Sequence, residues 1–241
     1  MAKSLFLRSL QSVLFTTPYS IEHKLAFSTE FLKHTQKIFS NDPSIVTAPQ
    51  NAPPHVPKIE IKSPNQSHIA QFSNDRISFL YQDTLNAKPS LAAAFQHFMS
   101  GFQQEIQSTM EFLNPQVVRM GFIVRMIADI GFSTNRFLSE EFLKNNSFPD
   151  AHEINLGILY RLQLEGFRVN RWVRYRTLRA QNDPSIDYAM AIEIDLNTFA
   201  EEMNNFSSSE ILQFYNLTYD NVMKDLKNYP LLDLDLESGM E

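Results

Sequence analysis

Val118-Arg119-Met120-Gly121-Phe122-Ile123-Val124-Arg125-Met126-Ile127-Ala128-Asp129-Ile130 is the stretch on which the fold turns. Val118, Met120, Phe122, Val124, Met126, Ala128 and Ile130 recur at every second position, and Arg119, Arg125 and Asp129 fall between them. Successive side chains of a strand point to opposite faces, so this run predicts a long strand with one buried face. Just before it, Leu91, Phe95, Phe98, Phe102, Ile106 and Met110 recur at three- and four-residue steps, which predicts a helix over Ser90–Leu113. Pro115 separates the two, because proline cannot continue a helix.

Working outward, strands are expected at Ser4–Phe15, Lys58–Lys62, His68–Phe72 and Arg76–Gln82 before that helix, and at Ile154–Leu164, Arg168–Leu178 and Ile186–Asp195 after the long strand. A helix is expected over about Ser20–Phe39, with Ile21, Leu25, Leu32 and Ile38 on its apolar side, and a short one over Thr134–Lys144. Glu165-Gly166-Phe167 reads as a hairpin turn and Asn182-Asp183-Pro184 as the next turn. Ser207 and Glu210 are spaced as a capping box, opening a last helix that carries Ile211, Tyr215, Tyr219, Val222 and Leu226.

This order predicts an α+β protein with antiparallel sheet packed by helices on one face, in two β-α-β(n)-α halves side by side. The first half spans residues 1–114 and includes a proline-rich loop at 43–64; the second spans 115–228; an acidic tail occupies 229–241. The opening residues, with Lys3, Arg8, several serines and no acid before Glu22, also read superficially as a targeting segment.

Composition removes whole classes of chemistry. The 241 residues contain no cysteine, which excludes disulfides, thiolate metal sites and cysteine nucleophiles. Six scattered glycines leave no phosphate-binding loop or dinucleotide fingerprint. The six histidines have no partner at an established ligand spacing and read as surface or loop residues. Glu140-Glu141 and Glu201-Glu202 are neighbours that do not share a helix face, so they read as solvated. No catalytic residue, metal ligand or cofactor is expected. No apolar run approaches the ~18 residues of a membrane span, and a cytoplasmic, soluble protein is expected.

Charge is the one positive signal. The net charge is −6, but residues 153–179 hold six arginines against two acids, and residues 180–241 hold thirteen acids against two lysines. If Val169, Val173 and Tyr175 face inward, Arg168, Asn170, Trp172, Arg174 and Arg176 face outward, with Arg161 of the preceding strand on the same side. Arg171 breaks the inward set, near a turn where the sheet is expected to be open. Three readings stay open for the surface formed by Arg161, Arg168, Trp172, Arg174 and Arg176. It can pair internally with Asp187, Glu193 and Asp195; it can bind a protein partner or a second copy of the chain; or it can bind nucleic acid or nucleotide through guanidinium and indole. Asp187, Glu193 and Asp195 also read as a candidate divalent-cation site, and the phenylalanines of the long helix, with Phe122, as a candidate lining for an apolar ligand.

The runs Phe72-Ser73-Asn74-Asp75-Arg76-Ile77-Ser78, Val117-Val118-Arg119-Met120-Gly121-Phe122 and Ile192-Glu193-Ile194-Asp195 resemble landmarks of a sporadically distributed prokaryotic family of proteins of similar length and uncharacterised function, often encoded beside defence or mobile genes. The chain departs from that family's pattern in its long proline loop. The resemblance implies no catalytic residue. It implies a non-catalytic binding or regulatory protein, in a defence or mobile-element setting.

Overall fold

The computed structural model describes residues 4–35, 38–40, 42–46, 49, 52–85, 89–131, 133–143, 153–178, 189–202 and 204–228. The elements run β1 (Ser4–Thr16), α1 (Lys24–Thr35), β2 (Ser44–Ile45), β3 (Ile59–Lys62), β4 (His68–Phe72), β5 (Arg76–Gln82), α2 (Leu91–Leu113), β6 (Val117–Asp129), α3 (Thr134–Phe142), β7 (Asn155–Leu164), β8 (Phe167–Leu178), β9 (Ala189–Thr198) and α4 (Ser208–Asn228). All nine strands form one sheet, in the order β2-β3-β4-β5-β1-β6-β9-β8-β7, and every pairing is antiparallel. The protein is therefore mixed α+β, built on a single antiparallel sheet that is continuous across both halves of the chain. The order is symmetric about the β1–β6 pair: β1-β5-β4-β3 reads outward on one side and β6-β9-β8-β7 on the other.

Local chemistry sets the element ends. The Ser90 hydroxyl accepts from the Ala93 amide at 3.2 Å and caps α2, and Asn114 closes it in the left-handed region at φ 42°. Ser207 and Glu210 form the expected capping box: the Ser207 amide donates to Glu210 Oε2 at 2.8 Å, and the Glu210 amide donates to Ser207 Oγ at 3.4 Å. The β7–β8 hairpin turns on Glu165 (φ 42°) and Gly166 (φ 104°). Two positive φ values make the tight turn whose twist matches its strands, and Phe167 already belongs to β8.

Phe27 and Phe31 of α1 meet Phe72 of β4 edge-on. Phe102 of α2 meets Phe79 of β5, and Phe95 meets Phe122 of β6. Phe214 of α4 meets Phe167 of β8, and Phe142 of α3 meets Tyr175 of β8. These strand residues all share one side of the alternation, so the helices pack there and the opposite, outer face carries no described helix. Tyr215 of α4 is fully buried at the centre, its hydroxyl shared between the Gly121 carbonyl of β6 at 3.2 Å and the Val13 carbonyl of β1 at 3.4 Å.

Several expectations need correction. The buried side of α1 is Phe27, Ser28, Phe31 and Thr35, while Leu25 is 66% exposed. The two phenylalanines, four residues apart, outweigh the aliphatic series taken as the stripe. Tyr219 of α4 is half-buried and stacks on Phe95 at 3.8 Å, and Phe214 belongs to the buried set. Phe95, Phe98, Phe102 and Phe122 are packed core rather than the lining of a cavity, and Phe112 is exposed. The turn at 182–184, Asp187, His152 and the tail 229–241 lie outside the described residues.

Candidate binding face

Alternation places Arg161, Arg168, Trp172, Arg174 and Arg176 on the outer face, as expected, and the register decides what each one meets. Arg174 lies opposite Glu193 of β9 and Gly157 of β7; Trp172 lies opposite Asp195 and Leu159; Arg176 lies opposite Ala191 and Asn155. Glu193 is also opposite Arg125 of β6. Its carboxylate accepts from Arg125 Nε at 2.8 Å and from Arg174 Nη1 at 2.6 Å, and Asp195 lies 3.6 Å from Arg174. These contacts give both carboxylates guanidinium partners, and Asp187, the third acid of the candidate cation site, lies outside the described residues. Among the described residues no group of three or more acids or histidines is placed to hold a metal.

The five residues separate into two sets. Near the hairpin turn, Arg161 and Arg168 lie 5.7 and 4.7 Å from the ring centroid of Phe199, and Arg168 pairs with Glu202 at 2.8 Å. Glu202 is thus an ion-pair partner, contrary to its reading as a merely solvated acid. Trp172 is half-buried, with the Arg174 guanidinium 5.2 Å from its ring centroid, so one indole face is already occupied. At the other end, Arg174 and Arg176 join Arg8 of β1 and Arg125 around a concave pocket of about 690 Å³. Its apolar surface includes Ile127, Gly157, Leu178 and Ala191, where Gly157, without a side chain, and Ala191, with only a methyl group, leave room between the arginines. Glu193 and Glu153 are its two acids.

Arg8 reaches the pocket through an irregularity. The β1–β6 register slips between Leu7 and Ser9, so Arg8 is an extra, bulged residue. Its Nη1 donates to the Asp83 carbonyl at 3.4 Å. Among the described residues neither Arg8 nor Arg176 has a carboxylate within ion-pair distance, whereas Arg125 and Arg174 share Glu193. Among the described residues the pocket therefore offers guanidinium donors without a carboxylate partner over an apolar floor, which suits a planar anion such as a carboxylate.

Arg171 corrects a further expectation. It does not lie at an opening of the sheet but points to the helix side, where its Nη1 pairs with Asp225 and meets Asn221 Oδ1 at 3.3 Å on α4. Its guanidinium lies 4.5 Å from the centroid of Tyr160. Arg171 therefore ties β8 to α4 and takes no part in the outer face.

The structure also brings together two histidines that sequence spacing keeps apart. His68 of β4 is 5% exposed, against its reading as a surface residue, and its ring centroid lies 5.0 Å from that of His97 of α2 and 5.1 Å from that of Tyr81. Nδ1 of His68 bonds Ser67 Oγ at 3.0 Å and Nε2 is buried without a partner. Burial, with His97 adding repulsion, pushes its pKa down to about 4, so the ring is neutral. Glu105 of α2 is also buried, and burial pushes its pKa up to about 8. Neither was legible in the sequence, because each depends on how α2 packs.

A comparison with known protein families finds no matching family model, and none of the curated proteins is significantly similar to the chain. No described helix is long and apolar enough to cross a membrane.

Proposed function

We propose that this is a non-catalytic binding or regulatory protein that receives a carboxylate-bearing protein partner on the sheet face left open by its helices, anchored at the pocket of Arg8, Arg125, Arg174 and Arg176. The observation that carries the reading is the local surplus of guanidinium. Four arginines meet two acids in one concavity of a chain whose net charge is −6, and two of them have no described carboxylate partner. A protein partner fits better than a polyanion. Arg125, Arg168 and Arg174 are already paired with acids, and Glu153, Glu193 and Asp195 would repel a continuous phosphate backbone. Exposed ion pairs are each worth only about 0–1 kcal/mol, so an incoming carboxylate can exchange with Glu193 at small cost. A cytoplasmic location, expected from the sequence, belongs to the same proposal, as does a defence or mobile-element setting, which rests on the family resemblance. The second reading, a nucleic-acid or nucleotide site, is favoured by Trp172 beside Arg174 and Arg176.

Trp172 is the only tryptophan and sits beside the pocket, so its fluorescence reports occupancy. Titration with an Asp/Glu-rich peptide at low salt is expected to shift that fluorescence, and the double substitution Arg8→Ala, Arg176→Ala is expected to weaken binding at least tenfold. A single-stranded oligonucleotide that binds where the peptide does not transfers the site to the nucleic-acid reading. Silence from both ligands at low salt, where attraction is strongest, refutes the anionic site altogether.

A further inference from the structure

The two edges of the sheet are built differently. β2 is two residues long, and Pro43 and Pro49 flank it closely in the chain. Short strands and proline are the usual guards against edge-to-edge pairing. β7, at the other end, runs for ten residues, Asn-Leu-Gly-Ile-Leu-Tyr-Arg-Leu-Gln-Leu, with no proline, no lysine and a single charge, Arg161. Its pairing with β8 is unbroken over its whole length, and no described backbone group outside β8 bonds to it. Leu156, Ile158, Leu162 and Leu164, on the helix side of this strand, are only half-buried. Leu159 (42% exposed) and Tyr160 (37%) are neighbours on this strand, and they are two of only six exposed large apolar side chains among the described residues.

We infer that β7 pairs antiparallel with β7 of a second copy of this chain, across a two-fold axis perpendicular to the sheet at Leu159, joining two nine-stranded sheets into one. The strand is complementary to itself in that register. On the helix side Ile158 meets Tyr160 and Leu156 meets Leu162, all apolar. On the outer face Leu159 meets its own counterpart, Asn155 meets Gln163, and the long Arg161 faces Gly157, whose missing side chain makes room for it. No like charges are opposed within the strand. Such a two-fold leaves both helix layers on one side and both outer faces on the other, so two arginine pockets flank the seam. The inference rests on the edge strand; it sets the partner's Arg161 beside Gly157 at the pocket's rim, and its test reads the oligomeric state with no pocket ligand present.

The absence of cysteine makes the test direct. Light scattering across about 10–200 µM is expected to give twice the 27.9 kDa chain mass. Leu159→Lys is expected to give a monomer that still melts cooperatively, with a melting temperature that no longer rises with protein concentration, since two ammonium groups would face each other at the axis. Under mild oxidation Leu159→Cys is expected to form a disulfide-linked dimer, because opposed residues of an antiparallel pair lie within the Cα separation a disulfide needs. Leu85→Cys, 74% exposed and away from β7, is the control for random collision. A monomer at every concentration overturns the inference. So does a dimer that survives Leu159→Lys, or cross-linking of Leu159→Cys no faster than that of Leu85→Cys.

Discussion

Raising the pH from 6.5 to 8 is expected to destabilise the protein, and Glu105→Gln is expected to remove the effect. Glu105 is 2% exposed, one turn beyond Gly101, where α2 lets the chain after α1 approach so closely that a Cβ at Gly101 would fall 1.7 Å from Ile38 Cδ1. Its Oε2 has no hydrogen-bond partner, and burial alone raises the pKa from 4.5 to about 8. The unfolded carboxyl releases its proton above about 4.5 and the folded one keeps it to about 8, so the unfolded state binds fewer protons and stability falls between those limits. At 1.36 kcal/mol per unit the full loss is on the order of 5 kcal/mol, comparable with the whole stability of many domains. His68 acts in the opposite sense. Its ring stays neutral to about 4 when folded but takes a proton below 6.5 when unfolded, so it costs on the order of 3 kcal/mol as pH falls across that range. The two slopes nearly cancel between pH 4.5 and 6.5. Above 6.5 Glu105 acts without that opposition, at about 1.4 kcal/mol per unit, or ~2 kcal/mol by pH 8. Denaturant titrations at pH 6.5, 7.2 and 8, read by Trp172 fluorescence, measure this directly. Equal stability of the parent at pH 6.5 and 8, or the same slope in Glu105→Gln, would refute an uncompensated buried carboxyl.

Phe102 and Phe122 are both fully buried, packed edge-on against Tyr215, and truncating either to alanine is expected to cost about 3–5 kcal/mol in the same titrations; a loss below 1 kcal/mol would show that the α2–β6 contact is not core. Deleting residues 1–20 removes β1 from between β5 and β6 and strands the backbone groups of both neighbours. The product is expected to lose its cooperative melt by circular dichroism, and retention of that melt contradicts the central position of β1.

Strands were legible because alternation is local. Residues 118–130 carry their inward set in plain order, and β4 and β5 begin and end where the sequence placed them. The ends of α2 and α4 were legible for a similar reason: Ser90, Ser207 and Glu210 act within three residues of themselves. What failed was non-local. The buried face of α1 depends on which of its side chains meets Phe72, more than forty positions further along the chain, and a helix that mixes phenylalanine and leucine offers more than one apolar stripe. Arg171 sits at an inward position by parity, and only the docking of α4 supplies the Asp225 that makes this tolerable. His68 is likewise inward by parity, and its meeting with His97 requires α2 to cross β4 and β5.

The same distinction explains the binding face. Parity alone puts Arg174, Arg176, Glu193 and Asp195 on one side, which leaves both internal pairing and an open arginine surface consistent with the sequence. The register separates them. Glu193 stands between β6 and β8, opposite Arg125 on one flank and Arg174 on the other, so a single carboxylate is divided between two guanidinium groups. Arg176 is one pair further along, where β9 presents Ala191 instead of an acid, and Arg8 arrives beside it only because β1 bulges. Among the described residues, internal pairing is therefore present at Arg174 and absent two residues away on the same strand. A surface built this way is held in place by its paired arginines while the others keep their donors for a partner, which is why the proposed test substitutes Arg8 and Arg176 and leaves Arg125 and Arg174 intact.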